Sequence, residues 1–142
     1  MENGLVTGDG TKVLTVEEYD KFIQAIPESK RAIFEINTIT GLRYVELQRL
    51  YDKPPERSSW NRDLARWSLK AGIIPKVGNR TSRKTIESWM LKSGIPEIEI
   101  YSRQGHDPIT SLKHYQSLSF TDYEMRDIEK RLIEWGILRR RI

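Results

Sequence analysis

Arg43, Arg80, Arg83, His106 and Tyr115 are the residues whose types and spacing could do chemistry together. Phosphodiester cleavage by a protein nucleophile needs a hydroxyl, fixed positive charge on the two non-bridging oxygens, and an acid for the departing oxygen. Arginine suits the second task, because its planar fork binds phosphate at two points and keeps its charge. Tyrosine suits the first, because phenolate is a tolerable leaving group when the strand is resealed and phosphotyrosine retains the energy of the broken bond. Arg43 to Arg83 spans 40 residues, Arg83 to His106 spans 23, and His106 to Tyr115 spans nine. Singly, each residue has a plainer reading. Tyr115 on an apolar helix face is a packing tyrosine, His106 after Gly105 is a turn or capping histidine, and Arg43 is a surface ion-pair partner for Glu46 at i, i+3. No Ser-His-Asp order, paired-carboxylate spacing, Walker loop or GxGxxG gives a competing enzyme class support.

Charge distribution points to the same kind of ligand. Between Arg57 and Lys92 nine basic residues stand against Asp63 and Glu87 alone, whereas Met1 to Glu35 holds four basic and seven acidic ones. A local positive block of this kind favours a polyanion, of which nucleic acid is the leading candidate. Arg62, Arg66 and Lys70 recur at i, i+4 and could track a phosphate backbone, with Lys76 and Lys84 nearby. The alternative is a solvated basic surface. The chain has no cysteine and two histidines, so no cofactor and no metal are expected. It also has no apolar run long enough for a membrane span and no signal-like start, so a cytoplasmic location with no membrane partner is expected.

With 142 residues, the chain reads as one domain, mainly α-helical, compact, multi-helix, with little or no β-sheet. Residues 1–13 read as a leader, with short strands conceivable near Val13 or Val77. Thr15-Val-Glu-Glu18 has capping-box spacing before Tyr19, Phe22, Ile23 and Ile26. Further helices are expected over 28–39, stopped by Gly41, and over 42–51, which puts Arg43 in a first turn. After the DKPPERS turn signal at 52–58, Ser59 is expected to cap a helix ending at Ala71. Helices over 81–93 and from Pro96 to Gln104 follow, closed by Gly94 and Gly105. Asp107-Pro108 starts another, which puts His106 in the turn and Tyr115 two turns in. Thr121 caps the last helix, which ends at Gly136, and a basic mobile tail covers 137–142.

In combination these residues resemble the catalytic domain of the tyrosine recombinases, the phage-integrase family. Thr40-Gly41-Leu42-Arg43-Tyr44-Val45-Glu46-Leu47 is similar to the family's first box, whose arginine contacts the scissile phosphate. Arg80-Thr81-Ser82-Arg83 stands where the family has His-x-x-Arg, and Gly105-His106 and His114-Tyr115 match its Gly-His and nucleophile boxes. The wording RKTIESW, QGHDPITSLKHYQSL and SFTDYEMRDIEKRL resembles archaeal, viral and plasmid integrases, where Arg or Lys replaces that histidine. The resemblance covers Leu14 to about Trp135, which makes 14–136 an integrase-like catalytic domain, and implies a DNA recombination and integration enzyme. Tyr115 would form a 3′-phosphotyrosine intermediate on double-stranded DNA, with Arg43, Arg80, Arg83 and His106 around the phosphate and self-association on DNA. It also implies a location with the nucleoid or with viral or plasmid DNA. Two family features look missing: the N-terminal DNA clamp and the β-hairpin whose lysine protonates the leaving oxygen. Lys53 and Lys76 are the only nearby substitutes for that lysine. A catalytically impaired DNA-binding regulator or accessory factor is the alternative.

Overall fold

Side-chain caps set where the first and last helices begin. Helix α1 (Val16–Ala25) starts at Thr15, whose hydroxyl accepts the Glu18 N–H at 3.1 Å while the Glu18 carboxylate accepts the Thr15 N–H at 3.1 Å. Helix α7 (Asp122–Glu134) repeats this box with Thr121 and Glu124. The computed structural model describes residues 5–104 and 118–139, and among them the chain is mainly α-helical with no strand. Between these two lie α2 (Glu28–Thr40), α3 (Tyr44–Gln48), α4 (Arg57–Ala71), α5 (Thr81–Lys92) and α6 (Glu97–Gln104).

Two helices differ from expectation. Helix α3 starts after Arg43, because Arg43 is extended (φ −66°, ψ 147°) and its N–H is bonded by the Glu46 carboxylate at 2.9 Å. It ends early because the Tyr44 hydroxyl and the Gln48 amide both donate to the Pro55 carbonyl, at 2.7 and 3.1 Å, and this clamps the Asp52–Glu56 turn back onto the helix. Helix α4 begins at Arg57, so Ser59 lies inside its first turn and its hydroxyl accepts from Arg62 at 3.3 Å instead of capping.

The core is built around α5, which packs on α2, α6 and α7. Ile86, Trp89 and Met90 are fully buried, but so are Thr81, Ser82, Thr85, Glu87 and Ser88, which the apolar pattern alone does not place inside. Their hydrogen bonds make that possible. Thr81 accepts the Gly78 N–H at 3.0 Å, Thr85 accepts the Leu14 N–H at 3.1 Å, and Ser88 donates to the Thr85 carbonyl at 2.8 Å. Trp89 donates from its indole to the Leu14 carbonyl at 2.8 Å and contacts the rings of Tyr19 and Trp135. A second aromatic group, Tyr44, Trp60 and Trp67, fills the space under α3 and α4, with Tyr44 stacked on Trp60 at 5.5 Å.

Residues 5–13 fold onto this body. Val6 and Lys12 form an isolated antiparallel bridge, the Lys12 ammonium is buried against Glu18 at 2.8 Å, and Val13 packs on Leu118. At the other end Ile137 is buried and Leu138 packs on the core, so the first two residues of the expected basic tail serve packing.

Trp89→Phe keeps most of the ring and removes the indole donor, leaving a buried Leu14 carbonyl unmatched. It is expected to cost about 1–3 kcal/mol in urea unfolding with an unchanged m-value.

Candidate functional site

Arg83 occupies the first turn of α5 with its side chain 11% exposed. Its Nη1 donates to the Gly41 carbonyl at 2.9 Å and its Nη2 to the Gln104 carbonyl at 2.9 Å. Nε lies 3.3 Å from the buried Glu87 carboxylate, one helical turn on, and Glu46 stands 3.9 Å from Nη1. One guanidinium therefore joins three separate segments: the end of α2, the start of α5 and the end of α6. Two of these are the loop that leads into Arg43 and the residue that precedes Gly105-His106.

Gly41 and Gln104 meet at this junction. Gly41 ends α2 with φ 67°, a conformation that favours glycine, and a Cβ there would lie 2.0 Å from the Gln104 amide nitrogen. Gln104 is buried, and its side-chain oxygen has no hydrogen-bond partner among the described residues. The loop is fixed from the other side by Asn37, whose amide donates to the Leu42 carbonyl at 2.7 Å.

Arg43 follows this loop as the residue before α3 and is exposed. The expected surface pair between Arg43 and Glu46 is not made. Glu46 instead caps the Arg43 backbone N–H and turns its charge towards Arg83, so the Arg43 guanidinium carries no ion pair among the described residues. Its first-turn placement is also corrected: Arg43 stands outside the helix, in extended backbone.

Arg80 stands just before α5, 71% exposed at its side chain, with Nη1 3.9 Å from Asp9 Oδ2. Asp9 lies in the turn between Val6 and Lys12. Burial works against its charge, but hydrogen bonds from Thr7 and Thr11 and the nearby Lys84 charge outweigh it and hold the carboxyl at about 2, below its ordinary 3.8. Asn79, next to Arg80, donates its N–H to the Asn61 side chain at 3.0 Å, which brings the start of α5 beside the start of the basic row on α4. Arg62, Arg66 and Lys70 are all exposed there, as is Lys76 in the following loop. Arg66 is partly neutralised by Asp63 at 2.9 Å. Lys84 is half-buried.

The structure thus brings Arg83 to the loop before Arg43 and to the residue before Gly105, and places Arg80 beside the α4 row. His106, Tyr115 and the helix expected from Pro108 lie outside the described residues. Sequence reasoning missed Gln104, Glu87 and Asp9. Glu87 had a visible signal, standing at i+4 from Arg83, whereas Asp9 and Gln104 act across the fold and had none. Among the described residues, no group of three or more His, Cys, Asp or Glu could hold a metal ion, and no helix is long and apolar enough to cross a membrane.

Arg83→Met strips the buried Glu87 of its Nε partner and releases two carbonyls, and is expected to cost about 3–5 kcal/mol in chemical denaturation. Gly41→Ala introduces both a clash and backbone strain. Adding Gln104→Ala removes the clash alone, and the residual cost of Gly41→Ala in that background is expected to be about 1 kcal/mol. Because the folded-state value of Asp9 is depressed, the stability it contributes is present above about pH 3.8 and is lost as the pH falls through about 2. Acid titrations of Asp9→Asn followed by circular dichroism are expected to show a weaker pH dependence across that interval. No family model, curated protein or solved structure matches the chain.

Proposed function

We propose that this chain is a DNA-binding, tyrosine recombinase-like domain that cleaves and rejoins duplex DNA through a 3′-phosphotyrosine. In this reading the Tyr115 hydroxyl gives up its proton to solvent as its oxygen attacks the scissile phosphorus, the bond to the 5′ oxygen breaks, and that oxygen takes a proton from solvent and leaves as a hydroxyl. Arg43, Arg80 and His106 stabilise the charge on the non-bridging oxygens, and Arg83 fixes the segments that present them. The observation that carries the reading is the pair of hydrogen bonds from Arg83 to the Gly41 and Gln104 carbonyls, which ties the arginine of the second box to the loop before Arg43 and to the residue that precedes Gly105. The exposed Arg62, Arg66 and Lys70 supply contacts to the phosphate backbone on either side.

One feature favours a second reading, an accessory or regulatory factor that binds DNA without cutting it. The Asp52–Glu56 turn runs straight into α4 with no hairpin, and Lys53 and Lys76 are both exposed in loops. Loss of a general acid costs about two to four orders of magnitude in rate.

A nicked suicide duplex separates the two. Wild-type protein is expected to form a covalent adduct on a denaturing gel that Tyr115→Phe abolishes. Binding without an adduct supports the accessory role, and no binding at low salt rejects both. Arg62→Ala and Arg66→Ala are each expected to weaken binding and to lower the slope of log K against log salt by about one.

A further inference from the structure

We propose that the turn from Thr7 to Thr11 is a built-in competitor for phosphate, holding the Asp9 carboxylate against Arg80 and Lys84 until a phosphodiester displaces it. The inference rests on the DNA-binding reading above and adds a regulatory contact within that surface.

The two oxygens of Asp9 do different work. Oδ1 accepts from the Thr7 hydroxyl and from the Thr11 N–H at 3.3 Å, so the turn itself fixes the carboxylate. Oδ2 is left facing Arg80 Nη1 at 3.9 Å. The turn is closed by the Gly10 N–H on the Thr7 carbonyl and the Thr7 N–H on the Thr11 carbonyl, both at 2.9 Å. Its root is held by the buried Lys12 ammonium on the half-buried Glu18 carboxylate. A negative charge is thus delivered to the start of α5 by scaffolding that does not depend on Arg80.

That placement has a consequence for any polyanion arriving there. Arg80 and Lys84 belong to the basic block, and their positive field is partly cancelled before a ligand binds. The Asp9–Arg80 contact is long and Arg80 is largely exposed, so the carboxylate is a weak competitor. A phosphodiester backed by the α4 row displaces it, and Asp9 then takes up a solvent cation. The turn therefore tunes affinity and salt dependence, and discriminates against anions that offer one charge only.

Asp9→Asn tests this, because the amide oxygen can still accept from Thr7 and Thr11 and the turn is retained. Binding of a short fluorescein-labelled duplex is expected to tighten about two- to fivefold at low salt, with a slope of log K against log salt steeper by up to about one. In an Arg80→Ala, Lys84→Ala background the gain is expected to vanish. An equal gain in that background, as from general repulsion, overturns the proposal, and so does unchanged or weaker binding by Asp9→Asn. Inorganic polyphosphate serves as a second probe. If the wild-type chain binds polyphosphate but not DNA, and Asp9→Asn tightens it with the same dependence on Arg80 and Lys84, the competing turn stands and the DNA reading falls. If neither probe binds, both fall.

Discussion

A single largely buried guanidinium ties together the described part of the candidate site. Arg83 reaches from α5 to carbonyls at the ends of α2 and α6, and these are the backbone acceptors that helix ends leave without intrahelical partners. Satisfying two such acceptors with one charged donor is strong because charge-assisted bonds exceed neutral ones, and the burial of Arg83 makes each bond more consequential. Glu87 and Glu46 balance the charge, so the cost of burying the arginine is met locally. The arrangement also transmits position: the loop before Arg43 cannot shift without breaking a bond to α5, the helix that Arg80 precedes.

The helix that bears this arginine is unusual in being buried on nearly every side while carrying threonine, serine and glutamate. Each of these polar groups would be costly inside without a partner. Thr81, Thr85 and Ser88 all bond to backbone, so the polar positions of α5 pin residues 14 and 78 as firmly as its apolar positions pin the core. A greasier helix would pack as well but would specify the neighbouring loops less well. The buried polar set is therefore better explained by positioning than by stability.

Most of the helical frame was legible in the sequence. Thr15 and Thr121 carry capping boxes three residues ahead of glutamates, and Gly41, Gly94 and Gly136 stand at helix ends with positive φ. Arg62, Arg66 and Lys70 fall on an exposed face of α4 as their spacing requires. What was not legible depended on contacts between distant segments. The docking of residues 5–13 on the helical body is helped by Thr85 and Trp89 reaching Leu14, at sequence separations of 71 and 75, which no local pattern encodes. Arg43 was expected inside the first turn but stands just before the helix, because Glu46 can pair with a side chain or cap a backbone N–H at the same spacing, and only the fold decides between them. The site's two anchors at His106 and Tyr115 lie outside the described residues, so their roles rest on spacing and resemblance.

The contrast between the two arginines that flank the junction bears on function. Arg83 is held by backbone carbonyls and carboxylates, which fixes the geometry of the segments around it. Arg43 sits at the N-terminal edge of a five-residue helix, where a cation gains nothing from the helix dipole. Glu46 does stabilise that helix start, yet it does so through the Arg43 backbone and leaves the guanidinium exposed. The side chain of Arg43 therefore contributes nothing to the local fold that a neutral residue could not. A permanent charge at such a place, on a loop held by Arg83 and Asn37, fits the phosphate contact proposed for Arg43. The rigid loop lowers the entropy lost when that anion binds, because the backbone is already ordered. Under the proposed function the junction and the exposed charge work together, the largely buried arginine ordering the loop from which the exposed one would meet a phosphate.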